Sequence, residues 1–228
     1  MKYIFFKRLF DIFSALFAII FLMPFFIIIS VIIKSSSKGP IIFRSIRTGK
    51  DNSRFYIYKF RSMIDNADKI GGLSTALNDS RVTKFGKFLR KYKLDEFPQL
   101  INVLKGEMSI VGPRAQVPYY TEKYEGVFKE ILSLRPGLTD IAFIYFGDMD
   151  NVLGKTNIKE KYETIIEPKK NLLRISYVKN FSFIYDLRII FGTIFRIFGI
   201  KNISRFDFKK FDKLNIKNVQ ILENAKVN

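Results

Sequence analysis

The chain has no cysteine, no histidine and no tryptophan among its 228 residues. Without cysteine there is no disulfide framework and no thiol nucleophile. Without histidine there is no Ser-His-Asp triad, no Cys-His pair and no imidazole-bound metal. Enzyme chemistry here must run on carboxylates, Lys, Arg, Tyr, Ser, backbone groups or an oxygen-bound cation such as Mg2+. Negative charge is also scarce: 21 Asp and Glu stand against 39 Lys and Arg, a formal balance of +18. Such an excess seeks an anionic partner, whether a phosphorylated substrate, an anionic lipid surface or nucleic acid.

Apolar residues, in contrast, are abundant. They make up 48% of the chain, with 25 Phe, while 26% of residues are charged. That mixture suits a globular body carrying a membrane-seeking portion, and it suits neither a disordered chain nor a polytopic bundle. The run from Ile12 to Ile33 carries no charge. As a straight helix it would rise roughly 33 Å, enough to cross a bilayer. Its apolar core is longer than that of a signal peptide and has no small-residue cleavage site. Pro24 lies near its middle, where a missing N–H and a steric clash kink or break a helix. Basic residues flank both sides: Lys2, Lys7 and Arg8 before, and Lys34, Lys38, Arg44 and Arg47 after. A spanning helix would put one cluster on the outer face, against the positive-inside tendency, whereas a re-entrant one keeps both inside. The residues alone leave open a Pro-kinked span and a re-entrant helix–break–helix.

The remainder reads as mixed α/β (α+β). Ser35 to Pro40 is a turn-forming linker. Residues 41–49 and 54–62 are strand-like and separated by a short loop, which predicts a β-hairpin. Residues 64–72 predict a helix ending at Gly71-Gly72. Residues 81–93 predict a basic amphipathic helix with Val82, Phe85, Phe88, Leu89 and Tyr92 on its apolar face. A second helix over 97–106 closes at Gly106, and a short strand follows at 108–111. The apolar stretch 181–200 is interrupted by Asp186, Arg188 and Arg196, which predicts an interfacial or core-packed helix rather than a free span. The domain organisation expected is an anchor over 1–38, a catalytic body over 39–200 and a basic polar tail over 201–228.

The stretch from Lys93 to Leu100 holds the best candidates for chemistry. Asp95 is a good N-cap, and Pro98 is tolerated in a first helical turn. Adjacent Asp95 and Glu96 are therefore expected at a helix start, where an ionised carboxylate is favoured and a phosphate can be received. An ionised carboxylate can attack phosphorus, and its neighbour can help hold Mg2+. The same residues also read as a plain cap and a first-turn charge. Asp148-Met149-Asp150 is a second candidate, a DxD pattern used by metal-dependent glycosyltransferases, although strand–helix repeats ahead of it are missing. A non-catalytic basic scaffold on anionic lipid is a third reading. A nucleic-acid partner is not expected, because the aromatics interleaved at 81–93 fit the buried face of an amphipathic helix.

Lys7-Arg8 and Asp11, Gly39-Pro40, Arg47-Thr48-Gly49, Tyr58 to Met63, Asp79 to Thr83, Phe88-Leu89-Arg90, Leu94 to Leu100, Asn102 to Gly106, Met108 to Arg114 and Arg135 to Thr139 occur in this order. This ordered set resembles the bacterial sugar transferases, the monotopic polyprenyl-phosphate phosphoglycosyl transferases, over roughly residues 7–200. The resemblance implies a re-entrant membrane helix bent at Pro24, joined to a compact cytoplasmic domain of amphipathic helices with a small β-hairpin. It implies Asp95 as covalent nucleophile and Mg2+ held with help from Glu96. It also implies phosphate and nucleotide contacts from Lys59, Arg90 and Arg114, with Arg61 and Arg81 as further phosphate-binding candidates. The expected partners are a UDP-sugar, a polyprenyl phosphate and the bacterial inner membrane, with the catalytic domain on the cytoplasmic face. Asp140 stands where many members have Gly, and the Trp common after that motif is missing.

Overall fold

The structure is a computed structural model that describes residues 2–67, 79–146, 160 and 162–200. It begins with α1, Lys2–Ser36. The helix that was expected to break at Pro24 is continuous through it. One face of α1 is a stripe: Asp11, Ala15, Ile29 and Ile33 are buried, and Ala18, Ile19 and Phe26 pack against the same cores. These positions recur at helical spacing. The opposite face, with Phe6, Phe13, Phe17, Ile20, Phe21, Ile27 and Val31, is exposed. Among the described residues one helix is long and apolar enough to cross a membrane, and it is α1.

Both ends of α1 are tied to the same body. Arg8 donates to the carbonyl oxygens of Val103 and Leu104 at 2.7 and 3.0 Å. Asp11 accepts from Ser109 Oγ and from the Ile110 amide. Lys7 pairs with buried Asp186. At the other end the Arg61 guanidinium donates to Ser37 and Lys38 carbonyls, both at 2.8 Å.

The expected hairpin forms from β1, Ile42–Thr48, and β2, Arg54–Phe60, antiparallel from Ile42 opposite Phe60 to Thr48 opposite Arg54. Asp51 and Asn52 take the left-handed conformation in its turn, which Asn and Asp tolerate better than most residues. Then come α2, Lys84–Lys91, and α3, Gln99–Lys105. Thr83 caps α2 by accepting from the Gly86 amide at 2.9 Å, and Gly106 closes α3 in the left-handed conformation.

β3, Ser109–Val111, pairs in parallel with β4, Gly137–Thr139, after the single turn α4, Pro118–Thr121. That pairing was not expected from the sequence, because two three-residue strands carry too little periodicity to register. Gly112 lies so close to the second strand that a Cβ there would sit 2.8 Å from the Gly137 nitrogen. Helices α5, Ile141–Phe146, α6, Glu167–Asn180, and α7, Phe183–Ile197, complete the body. As expected of the 181–200 stretch, α7 buries Tyr185 and Ile189 on one side and exposes Ile184, Phe191 and Ile194 on the other. The expected 64–72 helix falls mostly outside the described residues, as do the Asp148-Met149-Asp150 pattern and the 201–228 tail.

The core beneath the candidate site joins Ala15, Phe55, Ile57, Leu100, Val103 and Met108. A second cluster around Val111, Ile144, Tyr177, Tyr185 and Ile189 fastens α6 and α7 to β3. Burying such side chains contributes about 1.5–3 kcal/mol each.

Candidate active site

Asp95 and Glu96 lie together at the junction of α2 and α3, and both are buried, at 6% and 7% exposure. Their local setting differs from the expected helix cap. Lys93 adopts the left-handed conformation, φ 58°, and a 3-10 turn over Leu94–Glu96 follows at once. α3 starts only at Gln99, with Pro98 at its cap position and already helical at φ −58°. Asp95 is therefore a buried side chain of a tight turn, not an N-cap.

Glu96 is the charged hub. Its Oε1 accepts from Arg114 Nη2 at 2.6 Å and from Lys59 Nζ at 2.9 Å, and Oε2 accepts from Arg114 Nη1 at 3.2 Å. Two guanidinium donors on one carboxylate make a strong, directional pair. Burial alone would raise the Glu96 carboxyl, but Arg114 and Lys59 hold it well below the usual range. Asp95 behaves oppositely. Burial pushes it up, against the pull of Lys59 and with a further push from Glu96. Its Oδ1 is buried without a hydrogen-bond partner. Two adjacent carboxyls ionise as a pair, and here Glu96 takes the first negative charge.

The fold explains how the cations arrive. Lys59 follows Phe55 and Ile57 on one face of β2, and those two residues lie in the core beneath the dyad. Burial lowers the Lys59 ammonium, while Glu96 favours its charged form. Arg114 follows the Gly112-Pro113 turn and is held beside Gly137 by a parallel bridge. Arg90 projects from α2, donates through Nε to Ser62 Oγ at 2.8 Å and lies within the field of Asp95. α2 can sit this close because a Cβ at Gly86 would run into the Ser62 carbonyl oxygen.

Lys59, Arg90 and Arg114 are thus gathered around the dyad. Arg61 and Arg81 are engaged elsewhere. Arg61 donates to the Ser37 and Lys38 carbonyls just past α1 and to the Ile33 carbonyl in its last turn, and Arg81 is taken by Asp79 at 2.6 Å and by the Ala67 carbonyl at 2.9 Å. Sequence reasoning missed two cations near the site, Arg47 and Lys170. Arg47 was visible inside the Arg47-Thr48-Gly49 motif, but Lys170 sits in a helix whose composition reads as a solvated surface.

A divalent cation is compatible with the donors present. Among the described residues no group of three or more acidic, His or Cys side chains is assembled. Mg2+ nevertheless binds through one or two carboxylates plus substrate phosphates. An adjacent carboxylate pair with one orphaned buried oxygen fits that need.

Comparison with known proteins identifies the family. The family model described as bacterial sugar transferase matches residues 2–199. A UDP-glucose:undecaprenyl-phosphate glucose-1-phosphate transferase of Klebsiella pneumoniae is 39% identical over 198 residues, covering 85% of this chain and 40% of that protein. The exopolysaccharide production protein PSS of Rhizobium leguminosarum bv. phaseoli is 39% identical over 207 residues, covering 82% of this chain and 92% of that protein. A UDP-N-acetylgalactosamine-undecaprenyl-phosphate N-acetylgalactosaminephosphotransferase of Aeromonas hydrophila is 37% identical over 200 residues, 84% of this chain and 43% of that protein. The chain thus spans less than half the length of the Klebsiella and Aeromonas relatives. It belongs to the bacterial sugar transferase family.

Proposed function

We propose that the chain transfers a sugar phosphate from a UDP-sugar to a polyprenyl phosphate, giving a polyprenyl-diphosphate-sugar and UMP. The observation that carries this reading is the buried Asp95-Glu96 pair set among Lys59, Arg90 and Arg114. A carboxylate with an unpartnered oxygen is a nucleophile in waiting, and the three cations suit an anionic substrate.

In this reading an Asp95 oxygen attacks the phosphorus that bears the sugar. A new P–O bond forms to Asp95, the bond to the bridging oxygen breaks, and UMP leaves with that electron pair. An oxygen of the lipid phosphate then attacks the same phosphorus, and Asp95 departs as carboxylate. Arg114 and Lys59 neutralise charge on the transferred group, while Arg90 faces Asp95 from α2. Glu96 would help hold Mg2+, which would supply charge neutralisation to the diphosphate. Asp140 replaces the commoner Gly near the pocket, and the sugar stays unassigned: the Klebsiella relative is named for glucose and the Aeromonas relative for N-acetylgalactosamine.

The anchor belongs to the same proposal. α1 is roughly 52 Å long at ~1.5 Å per residue, against a hydrocarbon core of ~30 Å. Arg8 and Asp11 hold its start, and Arg61 holds its end, to one body. A perpendicular crossing would draw that body into lipid. α1 would instead lie along one face of the membrane, with its Phe-rich side turned to the hydrocarbon. Its basic flanks favour the cytoplasmic side of the inner membrane for that face. Presenting the protein with a panel of UDP-sugars and polyprenyl phosphate tests the reaction. Lipid-dependent release of UMP is expected, and release of UDP alone would mean sugar transfer without phosphate.

A further inference from the structure

Beyond the dyad, on the side of α6, three elements are clamped together. The Thr48 amide at the end of β1 donates to the Gln116 carbonyl at 2.9 Å. The Gln116 side-chain amide donates to both oxygens of Glu167, at 2.8 and 3.0 Å. These links bring Arg47 of β1 and Lys170 of α6 to the neighbourhood of Arg114, close enough that each cation opposes the charge on it.

The charges there do not balance. Glu167 is fully engaged by Gln116, by the Tyr162 hydroxyl at 2.9 Å and by Arg174 Nη1 at 2.8 Å. Asp140 accepts from the Ala142 amide and lies 3.7 Å from Arg174 Nε. Both acids make their close contacts with Arg174, itself 1% exposed. Among the described residues neither Arg47 nor Lys170 forms an ion pair, although Glu167 and Asp140 lie within the field of Lys170 and Glu96 within that of Arg47. Among the described residues the Arg47 side chain makes no hydrogen bond, and its Nε is buried without a partner. Lys170, 9% exposed, lies over the face of the Tyr162 ring, 5.0 Å from its centroid, and makes no hydrogen bond through its ammonium among the described residues. Burial lowers Arg47 to about 10 and Lys170 to about 8. Holding two buried cations without a direct ion pair beside Arg114 costs free energy unless an anion joins them.

We propose that Arg47 and Lys170, with Arg114, form a phosphate-ester subsite next to the phosphorus that Asp95 attacks. It rests on the phosphosugar-transfer reading, since a diphosphate donor brings a second phosphate that must be held as its bond to the first breaks. The lipid phosphate has the same chemistry and is the other source. Two forked or mobile cations on separate elements suit a group that binds as a diester and leaves as a monoester with added charge.

Calorimetric titration tests this without turnover. UMP, uridine and a short-chain polyprenyl phosphate in detergent are titrated into the wild type, Arg47→Gln, Lys170→Met and Lys170→Arg. Removing either charge is expected to weaken UMP about ten-fold, leave uridine unchanged and spare most binding in Lys170→Arg. A loss that falls on the polyprenyl phosphate instead supports the subsite and gives it to the lipid. Arg47→Gln breaks no side-chain hydrogen bond among the described residues, so it reads the subsite even if Lys170→Met fails to fold. Unchanged affinity for both phosphates in the charge variants overturns the subsite alone. A wild type that binds neither phosphate overturns the transfer reading along with it.

Discussion

Glu96 accepts hydrogen bonds from Arg114 and Lys59, so its amide variant has a consequence for stability as well as for rate. Glu96→Gln leaves two partly buried cations without a counter-charge. Because Arg114 keeps about a third of its side chain exposed, the loss is expected near the low end for broken buried pairs, ~1–3 kcal/mol, read by urea unfolding. Turnover should slow but persist, since Asp95 is untouched. Lys170 gives a pH prediction. Burial lowers it from 10.5 to about 8, so between those values the unfolded chain holds a proton that the folded chain has released. Its contribution to stability therefore rises with pH across that window, while UMP affinity falls across it. The groups facing Lys170 are Tyr162, Glu167, Arg174, Arg114 and Asp140, and Lys170→Met should flatten both trends. Of these residues, the sequence pointed to Glu96 through the adjacent carboxylate pair and to Lys59 and Arg114 through the family resemblance. It could not point to Lys170 or Arg174. EPKKNLLRISYVKN looks like a surface helix, and only tertiary packing against residues 126–133 and α5 buries those cations.

α2 is positioned by a glycine, and that carries the element-scale prediction. Gly86→Ala would drive a methyl into the Ser62 carbonyl oxygen, a backbone atom that cannot swing away. A destabilisation of ~1–3 kcal/mol is expected in thermal unfolding, with a larger loss of activity because Arg90 rides on the same helix. The hairpin, α2, α3 and α7 were legible as elements, since their apolar periods and turn residues are local signals. The turn that holds Asp95 was not. A left-handed Lys93 carries no turn signature, so Asp95 before Pro98 read as a cap although the chain needed none. Arg61 is held for a related reason: the fold uses it to satisfy carbonyls at and just past the end of α1, a long-range demand that no local pattern announces.

At the scale of the whole molecule, an apolar helix is fastened along its length to a basic catalytic body. The native chain has no cysteine, so single cysteines introduced at Lys2 and Lys38 can be labelled cleanly. Both should react only from the cytoplasmic side, and labelling of either from outside would contradict the same-face anchor. The Phe run and its basic flanks made a membrane-seeking helix legible, whereas the contacts of Lys7, Arg8, Asp11 and Arg61 reveal that both ends meet one body. In the proposed reaction that arrangement would bring a membrane-borne phosphate to a buried carboxylate, and Asp95 is where the proposal stands or falls. The most direct measurement is the intact mass of the protein after incubation with UDP-sugar and Mg2+, before any lipid is added. The account predicts an added sugar phosphate on the wild type, UMP release bounded by the enzyme present, and neither in Asp95→Asn. A wild type that never gains that mass while turning over with lipid, or an Asp95→Asn variant that remains active, would contradict it.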